Sequence, residues 1–373
     1  MRITTLRTAG DAGFTLVELL IAMGISVAIM GGALTVITDG RRMAECASSV
    51  IGLNNNLRIG VDLIVRDLIQ VGQGLPPGRT VQVPNGDGAL RIQRPGPQGS
   101  LCTRWPAGTT AISAVTPGPG CGPVVNGTAT SLVTTLAVDS TLEAVPVWSF
   151  GLAAHNATVS LPAQAANGVD ISIGRSGDVR VGDLMMFAKG SGSALAYVTA
   201  VDGGQTFTFG TGDPMNLNQF ASALNGTVDD LATAAPTTAN SATVSRIRML
   251  TYYLDNTLDP TTPRLIRHMN WGDPTAAVNR RGQTVAFAVE NLQFTYDMLD
   301  GVTNPSDVRM VDADLTVAGR CAPRPCSPNQ IRKMNVFIAG RSANPFSGTN
   351  RFFRNTLSTQ VSLRSLALVD RYR

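Results

Sequence analysis

The chain is poor in the side chains that most often carry chemistry. Its 373 residues include two lysines, Lys189 and Lys333, and two histidines, His155 and His268. Neither histidine stands in a G-x-S-x-G or H-E-x-x-H context, and no Walker A or dinucleotide glycine pattern occurs. General-base, zinc-hydrolase and nucleotide-dependent chemistry therefore have no foothold here. A carboxylate pair could still serve a glycosidase, but nothing in the pattern singles one out. Charged residues make up 15% of the chain, against a usual ~25%, which excludes a self-repelling disordered polymer. The formal charge of +4 comes from 28 arginines scattered without runs, so no nucleic-acid patch is indicated. Aromatics are sparse at 5%, while 38 glycines and 21 prolines mark many turns between short elements. At ~100–200 residues per domain, the length allows two or three domains and a sizeable core.

What the chain does have is one long apolar run. From Leu19 to Ile37 there are 19 residues without a charge, enough for a helix at ~1.5 Å per residue to cross most of a ~30 Å hydrocarbon layer. A cleaved secretory signal would have an apolar core of about 7–15 residues, and this run is too long for one. Glu18 lies inside the apolar stretch that begins at Phe14, where a carboxylate costs roughly 2.5–3.5 kcal/mol at mid-membrane depth. That cost calls for a partner, unless Glu18 simply snorkels to the interface. Arg2 and Arg7 precede the segment and Arg41 and Arg42 come after it, so local charge leaves orientation open.

The stretch Gly13-Phe14-Thr15-Leu16-Val17-Glu18-Leu19-Leu20 resembles the class III signal of type IV prepilins and type II secretion pseudopilins. The resemblance implies cleavage by a prepilin peptidase between Gly13 and Phe14, N-methylation of the new Phe14 terminus, and recruitment of Glu18 to the N-terminal amine of a neighbouring subunit. A carboxylate facing an ammonium in low dielectric gains a Coulomb term that offsets the desolvation of both. Asp11-Ala12 stand before Gly13, where the family usually carries a basic residue.

No proline interrupts residues 14–74. An apolar stripe runs through Met43, Val50, Leu57, Ile64 and Val71, flanked by Leu53, Val61 and Leu68, at spacings of seven, three and four. A helix from Phe14 to about Val71 is expected, on the order of 87 Å long, with Asp62 and Arg66 as an i, i+4 pair on its polar side. Its distal stripe reads as core packing against a following domain. Gly31-Gly32, in the apolar half, invite either local melting or close approach of a neighbour.

Beyond Gly72 the chain becomes rich in Gly, Ala, Thr and Pro. Alternation at Val169, Ile171 and Ile173, then at Asp183–Phe187, Ala194–Val201 and Thr206–Phe209, predicts β-hairpins. Stronger strand signals occur at Val244–Leu254, Arg264–His268, Val285–Tyr296, Val308–Leu315, Ile331–Ile338 and Leu357–Leu368. A change of phase at Glu290-Asn291 predicts a bulge. The segments VAFAVENLQFTY, TYYLD with RLIRH, and TLSTQVSLRSLAL resemble the C-terminal half of PilW-type minor pilins.

Of the five cysteines, proximity in sequence favours Cys102 with Cys121 and Cys321 with Cys326, leaving Cys46 buried and unpaired on the helix; an exported location permits disulfides. A zinc site from the four distal cysteines is the sharper alternative, although no C-x2-C pair exists. Asp297, Asp300, Asn304 and Asp307 could offer oxygens to Ca²⁺, but their spacing is not that of an EF-hand, and a solvated loop is the plainer reading. No catalytic residue, cofactor or metal is expected.

The expected fold class is α+β, a long N-terminal pilin helix packed on a large antiparallel β-rich domain. The expected divisions are a leader over 1–13, a transmembrane half-helix over 14–38, an amphipathic half-helix over 39–72, a β-hairpin region over 73–241 and a C-terminal antiparallel region over 242–373. The resemblance implies a minor pilin that primes or caps a type IV pilus. Its partners would be prepilin peptidase, other minor pilins, the major pilin and inner-membrane lipid, with the C-terminal domain in the periplasm. The alternatives are a minor pseudopilin of type II secretion and a filament-borne protein that binds DNA or a surface.

Overall fold

A computed structural model describes residues 13–76, 80–84, 90–151, 155–159, 179–202, 206–220, 226–233, 242–271, 282–299, 303, 305, 326–346 and 351–367. The fold is α+β. Residues Leu16–Ile69 form one helix, α1, of 54 residues. It is capped by Thr15 at its start and by Gln70 at its end, just short of the expected Val71. Gly72 and Gly74 then adopt φ of +77° and +71°, the left-handed geometry that glycine enters without strain. A Cβ at Gly74 would stand 2.7 Å from that of Val138. The turn is fastened to strand Leu132–Val138 by Gly72 N–H donating to Leu136 O (2.8 Å) and Val138 N–H donating to Gln73 O (2.9 Å).

All strand pairs among the described residues are antiparallel. The organising element is the 13-residue strand Thr243–Asp255, which changes partners halfway along. Residues 243–247 pair with Leu184–Lys189, and 250–255 pair with Arg264–Met269. On its other edge it meets Val145–Gly151 and then Leu132–Val138. The sheet thus runs continuously across residue 242, joining the Gly/Thr/Ala/Pro-rich part to the C-terminal strands. Gln283–Ala286 extends it beyond Arg264–Met269. At Ala288, φ +52°, the chain turns a corner into a separate three-stranded sheet of Val289–Met298, Ile331–Arg341 and Arg354–Ser362. The pairing register shifts between Val289 and Asn291, where the change of phase predicted a bulge.

The distal half of α1 lies on this second sheet and on the end of the long strand. Leu53, Leu57, Val61, Ile64 and Leu68 share one core with Tyr252, Leu254, Leu265, Leu292, Phe294, Met334 and Ile338. Gly60 is the close-approach point, its absent Cβ facing Leu265, Ala286 and Ile338 side chains at 3.1–3.6 Å. The expected stripe therefore packs from Leu53 to Val71, but Met43 is 73% exposed because the domain does not reach that far down the helix.

The closing segment also differs from expectation. The strand stops at Ser362, and Arg364–Ala367 form a short helical turn. Leu363 and Leu366 thereby both reach the helix core, which continued alternation would not achieve. The expected strands around Val169, Ile171 and Ile173 and over Val308–Leu315 lie outside the described residues.

Candidate processing and assembly site

The helix start is built by local chemistry. Thr15 is extended (φ −75°, ψ 150°), and its Oγ1 accepts from Glu18 N–H at 3.2 Å. Glu18 Oε2 accepts in return from Thr15 N–H (3.0 Å) and Thr15 Oγ1–H (2.9 Å). This reciprocal capping box satisfies donors that the first helical turn otherwise leaves open. Thr15 was not among the expected site residues, although T-x-x-E ahead of an apolar run is the signal for it.

Just upstream, Gly13 and Phe14 are non-helical, Phe14 is 88% exposed, and among the described residues nothing but the chain neighbours of Gly13 lies within 4 Å of a Cβ placed there. The Gly13–Phe14 peptide bond therefore sits in accessible, non-helical chain at the mouth of a helix. Glu18 stands one helical turn further on. The ion pairs of the described residues do not include it.

From Leu16 to Ala44 every α1 side chain is exposed. The hydroxyls in this stretch turn back onto the helix: Ser26 donates to Ala22 O (2.8 Å), Thr35 to Gly32 O (2.7 Å) and Thr38 to Thr35 O (2.8 Å). Polar groups must be satisfied internally in this way where lipid surrounds a helix. Among the described residues Gly24, Gly31, Gly32 and Gly40 have no neighbour within 4 Å of a would-be Cβ, so the helix is open at each of them. The helix is long and apolar enough to cross a membrane and fits membrane anchoring.

At the other end, α1 is tied down by a buried polar cluster. Asp67, 7% exposed, accepts from Arg267 Nε (2.6 Å) and Nη2 (3.2 Å) and from the Tyr252 hydroxyl. Burial would lower the affinity of Arg267 for its proton, but Asp67 beside it more than compensates and holds the guanidinium above its ordinary value. Burial next to Asp67 keeps the Tyr252 phenol protonated, its pKa pushed well above the usual range. The sequence directed attention to Asp62 and Arg66, which share the exposed face but form no ion pair among the described residues. The partners of Asp67 lie 185 and 200 residues away, beyond any local pattern. Asn56 adds a second tie, accepting from Phe287 N–H (3.1 Å) and donating to its carbonyl (2.6 Å) at the corner between the sheets.

Cys102 and Cys121 form a disulfide. Cys326 is also disulfide-bonded, and Cys321, its expected partner, lies outside the described residues. Cys46 is free as expected, but half-buried rather than buried, because it emerges where the domain only begins to cover the helix. Of the acidic group considered for Ca²⁺, Asp297 accepts from Asn335 (3.2 Å) and Gln360 (2.9 Å), while Asp300, Asn304 and Asp307 lie outside the described residues. Among the described residues no group of three or more His, Cys, Asp or Glu could hold a metal. His155 stacks on Phe220 at 3.5 Å and faces Asp229, and His268 is buried against Tyr253.

Residues 9–34 match the family model of the prokaryotic N-terminal methylation motif. The match spans the Gly13–Phe14 bond, Glu18 and most of the apolar run, and supports a place among type IV pilin-like proteins, whose motif is structural rather than catalytic. Neither a curated protein nor a solved structure matches the chain.

Proposed function

We propose that this chain is a minor pilin, cut by a prepilin peptidase between Gly13 and Phe14 and N-methylated at Phe14, that helps prime or cap a type IV pilus. The observation that carries the reading is the unpartnered apolar half of α1, whose sole charge over residues 16–38 is Glu18, one turn after an exposed Gly-Phe bond. Cleavage frees an ammonium at Phe14 of each subunit. Glu18 of one subunit then faces that amine on its neighbour, and the pair sets register because low dielectric strengthens a matched pair and penalises either charge left alone. Before assembly the Thr15 hydroxyl and amide keep the Glu18 carboxylate hydrogen-bonded.

In this reading the chain starts as a single-pass inner-membrane protein with its β domain in the periplasm, a compartment in which the Cys102–Cys121 disulfide persists. Its partners are other minor pilins and the major pilin. The PilW-like resemblance of the C-terminal segments and the bulk of a domain larger than the helix favour a low-copy position over repeated helical packing.

Mass spectrometry of the N-terminal peptide, from sheared surface filaments and from membranes of the native cell, tests this. A methylated Phe14 terminus in filaments is the expected result. The same terminus confined to membranes would favour a type II secretion pseudopilin, and an uncut terminus would overturn the reading.

A further inference from the structure

We propose that the exported domain carries a binding cleft for a neutral oligosaccharide, on the sheet face turned away from α1. The long strand alternates its two faces. Tyr252 and Leu254 point into the helix core, whereas Tyr253 packs on the opposite side with Cys121, Leu132 and Ile266. On that opposite side two adjoining hollows, of about 380 and 490 Å³, share Pro97, Gln98, Gly99 and Thr257 as walls. Their size is that of small-molecule sites, which combine apolar walls with a few placed polar groups.

The lining is specific in chemistry. Trp271, half-buried, lines it as an aromatic surface, and the buried His268 supports it from behind, 6.5 Å from the Trp271 ring and 6.4 Å from that of the buried Tyr253. The apolar C–H face of a sugar ring can lie on such a surface. Gln98, Asn256 and Thr257 at the rim offer both donors and acceptors, as vicinal hydroxyls require. Asp255 is the one charged residue among the described lining residues. It is matched by Arg264 Nη2 at 2.6 Å and by the Thr257 hydroxyl at 2.6 Å, so the cleft presents no net field to attract a polyanion.

The wall is also held in place before any ligand arrives. The disulfide joins Cys102 to Cys121, Ser100 Oγ donates to Cys121 O (2.7 Å), and the fully buried Arg94 donates from Nε to Cys102 O (2.8 Å). Arg94 reaches across to Thr116 O (3.1 Å) and Pro117 O (3.3 Å), anchoring the loop to the strand behind it. A wall fixed in this way loses little freedom on binding. The inference is independent of filament entry, since the cleft belongs to the domain.

The test uses the full chain in lipid nanodiscs on an array of immobilised neutral hexose and N-acetylhexosamine oligosaccharides, with heparin fragments, duplex DNA and extended proline-rich peptides alongside. The expected result is retention of neutral oligosaccharides, insensitive to salt, and at least about tenfold weaker with Trp271→Ala and with Gln98→Ala. Gln98 is exposed on a turn, so its variant separates loss of binding from loss of folding, and Cys46→Ser should leave binding unchanged. Retention of only the peptides, salt-sensitive retention of only heparin or DNA, no retention at all, or neutral binding unaffected by both variants would each overturn the proposal.

Discussion

One helix contains two different molecules. Up to Ala44 the side chains of α1 are exposed, no side chain among the described residues meets its glycines, and its hydroxyls bond to their own backbone. From Leu53 to Leu68 the same helix is half of a core, its Gly60 is closely met by neighbours and its buried carboxylate is held by residues 185 and 200 positions away. Among the described residues the first half has no packing partner, whereas the second half is finished by the chain itself. A substitution in the first should therefore spare folding and change association, and one in the second should do the reverse.

The largest expected effect is at Glu18. Glu18→Ala should leave membrane insertion and domain stability intact while abolishing recovery of the protein in sheared filaments. Glu18→Gln sharpens the point, because glutamine still serves a capping box with Thr15 but carries no charge to face an amine. It should fail like alanine in a filament immunoblot. Normal incorporation of Glu18→Gln would show that the cap suffices and would remove the intersubunit ion pair from the proposal.

Asp67 is the counterpart in the docked half. Asp67→Ala strips the acceptor from the Tyr252 hydroxyl and from Arg267, so unfolding of the full chain in detergent should become easier by ~3 kcal/mol, as for other broken buried pairs. Denaturant titration followed by tryptophan fluorescence measures it. A loss below ~1 kcal/mol would mean that water replaces the carboxylate and that apolar packing alone holds the helix down.

These two carboxylates also show what was legible. Glu18 stood out because a charge in an apolar run has no local excuse, and the Gly13-Phe14 pair beside it completed a short contiguous signal. The stripe at Leu53, Leu57, Val61, Ile64 and Leu68 was legible because helical period is local. Asp67 sits in the same helix and was passed over in favour of Asp62, since nothing within a turn or two distinguishes a buried carboxylate from a solvated one. The long strand was readable at Val244–Leu254, but its exchange of partners halfway was not, because pairing is decided by packing between distant segments. Strand Leu357–Leu368 was overextended for a similar reason: its end is set at Ser362 by the distant helix core, which takes in both Leu363 and Leu366 through a helical turn.

The glycines give a smaller and more graded contrast. Gly60→Val would push extra methyls toward Leu265, Ala286 and Ile338, an overpacking cost of about 1–3 kcal/mol, read as a lower denaturant midpoint. Gly31→Val meets nothing within 4 Å and should leave that midpoint unchanged. If the open face of the apolar half receives a neighbouring helix, the same Gly31→Val should lower filament incorporation. Equal midpoints for the two variants would erase the distinction between the halves.

The smallest effect concerns acid, and it belongs to the strand on which the helix docks, on the face turned away from α1. Burial tends to raise the pKa of Asp255, but hydrogen bonds from Thr257 and Arg264 outweigh it and hold the carboxyl below its ordinary value. For a carboxylate with a depressed folded pKa, the stabilisation is complete above the unfolded value, near ~4, and is lost as pH falls through the folded one. Asp255→Asn should thus cost stability at pH 7, by about 1 kcal/mol because the asparagine oxygen can still accept from Thr257 while the charge facing Arg264 is lost, and cost progressively less in acid until variant and parent converge. Denaturant midpoints of the full chain at neutral and acid pH provide the comparison. A cost that stays constant across that range would assign the role of Asp255 to the shape of its turn, since asparagine keeps the volume and gives up the charge.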